Sequence, residues 1–328
     1  MKVSKLWWLN TLLLLLLLFL FVLNMAGGVN WYSPRLLWQS DHTLAQQIMW
    51  TIRLPRALAA MIVGALLALS GQLMQTLSQN PIADPSILGV NAGAMLALML
   101  GSVAGFSLSI ANTIWLSVVG ATLAFLVVLV LAMTRQGLDP LRFILGGTVF
   151  SGFISGLAYA LSVLTNTTMQ FRNLLVGGFS NTNFKQVSFL AVGLLIVLLI
   201  SLFNRKGFTL MVFDDATARS LGAQPGVTRL IGAIVIVISA GFSVAVAGNV
   251  GFIGLGIPAI IHYLHPDSLE RNIMPNLLLG ASFMLLIDLL AKTLAAPTEL
   301  PLAALSAICG GVFLFIIIAR GSQVTVHE

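Results

Sequence analysis

From Leu6 to Met25 the chain runs 20 residues without a charge, and it holds roughly ten such apolar segments. As a helix, a run of that length crosses the ~30 Å hydrocarbon core of a bilayer. Inside hydrocarbon every backbone group must find its partner within the protein, which leaves helices or a closed barrel. Barrel strands are short and alternate in polarity, whereas these runs are long and continuous, so they predict helices. Composition agrees: hydrophobic residues make up 58% of the chain and charged residues 8%, with mean hydropathy +1.01. Soluble domains carry roughly a quarter charged residues. The expectation is an all-α, polytopic membrane protein, one transmembrane domain over residues 1–328.

The segments lie near 6–26, 55–76, 86–106, 111–133, 142–164, 185–203, 230–249, 251–264, 274–295 and 302–319. The first follows Lys2 and Lys5 but is longer than the ~7–15 residues of a signal core. It reads as an uncleaved span with a cytoplasmic N-terminus. The C-terminus is then cytoplasmic too, with ten basic residues on that side and six on the other. This is the expected sign of bias. Cys309 is the single cysteine, so an internal disulfide and a thiolate cluster are both excluded.

Segment 8, Gly251 to Leu264, is 14 residues and contains Gly254, Gly256 and Pro258. At ~21 Å it is short for a span. Short, broken segments mark transporters, because irregular backbone is tolerated only inside protein or along a wet cavity. The plainer alternative is a re-entrant packing element. A second punctuated stretch, Asn80 to Gly89, follows segment 2. Segments 2–5 and 7–10 therefore read as two four-helix units in inverted orientation, each preceded by an extra helix.

The loop at about 204–229 carries Asp214 and Asp215 ahead of Ala218, Arg219, Leu221 and Gly222. Acidic residues opening a helical run and Gly closing it predict a small helix outside the bilayer. A phosphate-cradling loop needs Gly-Lys-Ser/Thr. The five lysines follow Met1, Ser4, Phe184, Arg205 and Ala291, so that motif is absent. Any ATP used must be hydrolysed on another chain.

Few charges interrupt the apolar segments. Arg53 and Arg56 flank Leu54-Pro55 at the start of segment 2. They oppose the positive end of that helix dipole. Snorkelling to lipid phosphate and recognition of a partner's carboxylates both fit. Asp288 and Lys292 are four residues apart on one helical face, acid before base, and read as an intramembrane ion pair. His262 and His265, with Asp267 and Glu270 nearby, are not read as a metal site.

Arg53-Leu54-Pro55-Arg56, Gly64 to Gly71, Asn80 to Pro85, Leu88 to Gly93, Ala218 to Gly222, Gly251 to Leu255 and Glu299-Leu300-Pro301 together resemble the FecCD family. These are permease subunits of type II ABC importers for iron chelates, haem and vitamin B12. The resemblance covers roughly residues 10–320. It implies ten transmembrane helices, a second permease subunit (an identical or a related chain), two cytoplasmic ATPase subunits that hold ATP and Mg, and an extracytoplasmic binding protein. No cofactor, metal or catalytic residue is expected on this chain itself. It places the protein in a bacterial cell membrane.

The resemblance also carries roles. Arg53, Arg56 and Lys292 match the positions that dock glutamates of the binding protein, with Lys292 where Arg is usual. Asp214, Asp215, Ala218, Arg219, Leu221 and Gly222 match the coupling to the ATPase. Asn80 and Ile82, with Asp139 and Pro140, match the cytoplasmic gate. The family's usual Pro-His followed by Arg is replaced by Pro258-Ala259, although His262, His265 and Arg271 lie close by. A ferric siderophore is the first expected cargo, then haem, then cobalamin. A rival of another class is an ion-coupled secondary transporter with Asp288 as proton carrier.

Overall fold

The apolar runs are helices in the computed structural model, which describes residues 2–37, 43–86, 88–106, 109–134, 137–213 and 215–319. In chain order they are α1 Lys2–Ala26, α2 Leu44–Ile48, α3 Leu54–Leu77, α4 Val90–Val103 and α5 Ile110–Ala132. A two-residue hairpin, β1 Met133–Thr134 and β2 Gly137–Leu138, follows. Then come α6 Pro140–Leu164, α7 Thr168–Val176, α8 Phe184–Phe203, α9 Arg205–Leu210 and α10 Asp215–Ser220. The last four are α11 Pro225–Ala247, α12 Ile253–Leu264, α13 Leu269–Thr293 and α14 Leu302–Ala319. Seven described helices are long and apolar enough to cross a membrane, and three shorter apolar ones, Val90–Val103, Ile253–Leu264 and Leu302–Val312, bring the set to ten.

Two elements escaped the hydropathy pattern. The second span begins at Leu44, not near 55, because α2 continues into α3 through a π-helical turn, Met49–Arg53. Gln46, Gln47 and Thr51 lower the hydropathy of this stretch without ending the helix. The helix α7 is similarly polar and buries only Phe171 among its residues.

The helix α3 is the centre. Along its span, 83% of the most apolar window is buried, against 11% for α6 at the periphery. The packing is paired as an inverted repeat would be. In the first unit α4 packs on α5 and α6, and α5 on α6; in the second α12 packs on α13 and α14, and α13 on α14. Crosswise, α3 packs on α12 and α13, while α11 packs on α4 and α5. The preceding helices α1 and α8 break the correspondence, since α1 lies on α13 and α8 on α11 and α3.

Without a hydrophobic drive between helices in lipid, close backbone approach supplies the attraction. A Cβ on Gly64 of α3 would strike the Gly280 carbonyl of α13, and one on Gly71 would strike the Gly254 backbone of α12. The α4–α5 contact repeats this at Gly93 and Gly120. At the inverted counterpart of the α3–α13 crossing, Gly241 of α11 faces Val118 of α5, and the Ser117 hydroxyl donates to the Gly241 carbonyl at 2.7 Å.

Both short helices open on a left-handed residue, Gly89 (φ 83°) before α4 and Phe252 (φ 75°) before α12. A phenylalanine there is strained. Its ring occupies space left by Gly256 and Gly310, where any Cβ would collide with it. Inside α12, Pro258 lacks the N–H that would bond the Gly254 carbonyl. Gln75 Nε2 supplies that donor from α3, at 3.3 Å to Gly254 and 3.2 Å to Leu255.

Gly64→Val should overpack the α3–α13 contact and cost about 1–3 kcal/mol. The check is the thermal unfolding midpoint of the purified chain in detergent. A lowered midpoint is expected; an unchanged one contradicts the backbone contact.

Candidate functional site

The polar residues gather at the two ends of the bundle and at one junction inside it. At the end where α1 stops and α3 starts, called here the Arg56 end, Asp288 of α13 has no exposed surface. Arg56 Nε donates to its Oδ1 at 2.8 Å, and Asn24 Nδ2 donates to its Oδ2 at 3.0 Å. Lys292 Nζ stands 3.7 Å from Oδ2. The outer nitrogens of Arg56 grip Glu299 bidentately, at 2.6 and 3.1 Å. A buried carboxylate so surrounded has its desolvation offset by charge-assisted bonds.

The other cations serve α1. A helix leaves its last four carbonyls without intrahelical partners. Here all four are satisfied. Leu23 accepts from the Gly27 N–H, and Asn24 from Lys292 Nζ at 2.6 Å. Met25 and Ala26 accept from Arg53 Nη1 at 2.9 and 2.7 Å. Arg53 Nη2 reaches the Asn30 carbonyl at 2.6 Å, and its guanidinium lies 4.6 Å from the Tyr32 ring centroid. Cations at a C-terminus also complement the helix dipole. Arg53 and Arg56 oppose the dipole of their own helix, but Arg53 and Lys292 stabilise the end of another. Arg53, Arg56 and Lys292 are thus brought together, and all three are turned inward, with 5–7% exposure.

The junction lies where the loop after α3 meets the start of α12. Asp84 is buried there, its Oδ1 accepting from the Ser86 N–H at 2.7 Å. On the inverted side, Asn91 of α4 donates to Asn249 Oδ1 at 2.9 Å. Each of the two short helices is therefore tied near its start to the opposite unit. Of the gate candidates, Asn80 Oδ1 accepts from the Ile82 N–H at 3.0 Å, and Ile82 projects outward. Asp139 caps α6, accepting from the N–H groups of Leu141 and Arg142, and Pro140 opens that helix. The loop after α3 reaches α6 further along, where Leu88 fills the space beside Gly147.

At the opposite end, called the Asp84 end, the connection between α8 and α11 forms two short helices, α9 and α10. Asp214 lies outside the described residues. The helix α10 starts at Asp215, buries Ala218 and closes through Gly222 at φ 87°. Val212, Phe213 and Leu221 are exposed apolar residues on this connection. Gln79, beside gate candidate Asn80, donates to the carbonyls of Met211 at 3.3 Å and Phe213 at 2.9 Å. The α9–α10 connection is therefore bonded directly to the loop that leads to the junction. Nearby, Arg205 meets Glu270 at 3.1 Å. His265 is buried on Asn272 at 3.1 Å, and Arg271 holds Asp267 at 2.9 Å. The Ser268 N–H and Arg271 hold the Asp267 carboxyl below its ordinary range.

Three residues of these networks carry a sequence signal of their own. Asn24 is an amide in an apolar run, Glu299 is an acid within a resemblance motif, and Gln79 adjoins one. Their partners are distant in sequence, 264 residues from Asn24 to Asp288 and 243 from Arg56 to Glu299.

Comparison with known proteins comes to the same region of fold space. The chain matches the FecCD transport family over residues 15–320. It is 32% identical to the iron(3+)-hydroxamate import system permease protein FhuB of Bacillus subtilis (strain 168), over 84% of this chain and 72% of that one. It is 35% identical to the Fe(3+) dicitrate transport system permease protein FecC of Escherichia coli (strain K12), over 85% of each. A solved structure described as an inward-facing conformation of a metal-chelate type ABC transporter superposes with TM-score 0.84 at 28% identity, over 95% of this chain and 98% of that one.

Asp288→Asn should leave two buried cations short of a carboxylate and cost about 3–5 kcal/mol. Asp139→Ala, which removes one helix cap, should cost ~1 kcal/mol. Unfolding of both variants in bicelles is the measurement, and equal losses would contradict the ranking.

Proposed function

This chain belongs to the FecCD transport family, and from that premise we propose that it is the membrane-spanning subunit of an ATP-driven importer for a ferric siderophore. One observation carries the mechanism: Gln79 bonds the α9–α10 connection to the loop entering the junction of half-helices. A push on that connection is conveyed into the irregular backbone where α4 and α12 begin. The exposed Val212, Phe213 and Leu221 give the ATPase partner an apolar surface there. Ala218, Arg219 and Gly222, with Asp214 and Asp215, form the coupling element.

The Asp84 end faces the cytoplasm, with both termini, in a bacterial inner membrane. Asn80 and Ile82, with Asp139 and Pro140, close the path at that side. The cargo moves between two permease subunits. Leu141, Leu145, Val149, Phe153 and Leu157 form an exposed stripe at every fourth residue of α6, and nothing stands beyond the Cα atoms of Gly152 and Gly156. Such a face accepts a second copy or a related chain, and an apolar lining suits a path with few specific ligands. ATP binding to the partner closes its dimer, moves the coupling element and exposes the path alternately to each side. This chain supplies no ATP or Mg site and no catalytic group.

At the Arg56 end, Arg53, Arg56 and Lys292, though turned inward, supply the positive charge toward which acidic residues of a binding protein dock. Asp288 does not serve as a proton carrier in this reading, because Arg56, Asn24 and Lys292 already engage both its oxygens.

Proteoliposomes holding the permease with its ATPase partner, supplied with the binding protein, should take up ferric siderophore only with ATP. Uptake driven by a proton gradient alone contradicts the proposal. Gln79→Ala should lower uptake about tenfold, through two lost hydrogen bonds, while ATP hydrolysis continues. Unchanged uptake by that variant removes Gln79 from the coupling route.

A further inference from the structure

The Arg56 end holds three cations, Arg53, Arg56 and Lys292, against two carboxylates, Asp288 and Glu299. Its members differ sharply in access. Arg53, Arg56, Asp288 and Lys292 are buried, whereas the Glu299 side chain is 40% exposed. Glu299 is thus the one charged group of the cluster that meets water, and it covers the two outward nitrogens of Arg56. Asp288 is held from α1 and α3 at once. Glu299 is held by Arg56 alone among the described side-chain bonds, and it sits in the exposed turn between α13 and α14.

That turn is anchored on either side. On one side the Thr298 N–H donates to the Ala295 carbonyl at 3.0 Å; on the other the Leu300 N–H donates to the Ala291 carbonyl at 2.9 Å, and Leu302, the first residue of α14, is buried. Between those anchors Glu299 can leave Arg56 without unpacking a helix. Its departure exposes a guanidinium whose fork geometry selects a carboxylate. It also leaves three cations facing one acid, which draws an anionic group toward this end.

We propose that Arg56 is a carboxylate receptor that Glu299 occupies in the resting chain, and that an acidic side chain of the docking protein takes its place. This rests on the docking reading above and adds an internal competitor to it. Docking then has a built-in cost, the displacement of Glu299. It also has a mechanical consequence, because the displaced residue lies three residues before buried Leu302 and the start of α14.

Two measurements on the permease–ATPase complex in nanodiscs test it. In the first, Glu299→Ala is heated in sodium acetate and in sodium chloride at equal ionic strength. Acetate should raise the unfolding midpoint of the variant and leave the wild type unmoved. No difference between the two salts overturns the receptor. In the second, the binding protein of the same importer is titrated onto wild type and Glu299→Gln, an isosteric change that serves equally should the alanine variant fail to insert. The gain expected from removing a half-exposed competitor is about three- to tenfold tighter docking. Unchanged or weaker docking overturns the exchange even where acetate binds. Arg56→Gln separates the two ideas: if docking is unaffected by it, the docking reading itself falls, and if docking is lost while Glu299→Gln changes nothing, only the exchange falls.

Discussion

One carboxylate with no exposed surface, Asp288, organises the Arg56 end of this protein. It sits on α13, takes Arg56 from α3 and Asn24 from α1, and lies beside Lys292 one turn away on its own helix. A charge at that depth is expensive unless every lone pair is used. Satisfying it therefore fixes three helices relative to one another. Lys292 and Arg53, gathered by the same cluster, then close the carbonyl end of α1, a helix of which only a small share is buried. The cluster is consequently a clasp first, and any surface it offers to a partner is offered through Glu299.

The same accounting explains the junction. Lipid cannot hydrogen-bond a loop, so the breaks before α4 and α12 survive only because protein groups serve them. Gln75 replaces the donor that Pro258 lacks, Asp84 takes the Ser86 N–H, and Asn91 meets Asn249. Glycines bring the helices close enough for these short reaches. Here the backbone departs from regular helix, and through Gln79 it is bonded to the α9–α10 connection at the Asp84 end. A rigid clasp at one end and a bonded, irregular junction toward the other is the division of labour that a partner-driven permease requires.

Much of this was legible in the sequence, for identifiable reasons. Apolar length placed the seven helices long enough to cross a membrane, and apolar composition the three shorter ones. Pro258 with its glycines marked the broken segment, and Gly222 marked the end of α10. The four-residue spacing of Asp288 and Lys292 put them on one face. What stayed hidden depends on tertiary contact. Helix α7 and the α2 extension are too polar for a hydropathy signal. Arg53 stabilises α1, although reasoning from the dipole of α3 alone finds no stabilising use for it. The pairings of Asn24 with Asp288 and of Glu299 with Arg56 join residues from opposite ends of the chain, and no local pattern announces them.

A double-mutant cycle tests the clasp most directly. Arg56→Gln, Asp288→Asn and the double variant are unfolded in bicelles, and the coupling energy is taken from the four stabilities. The account predicts strong coupling, with the double variant losing at least ~1 kcal/mol less than the sum of the single losses. Additive losses would contradict it, since the two charges would then be held in place by something other than each other.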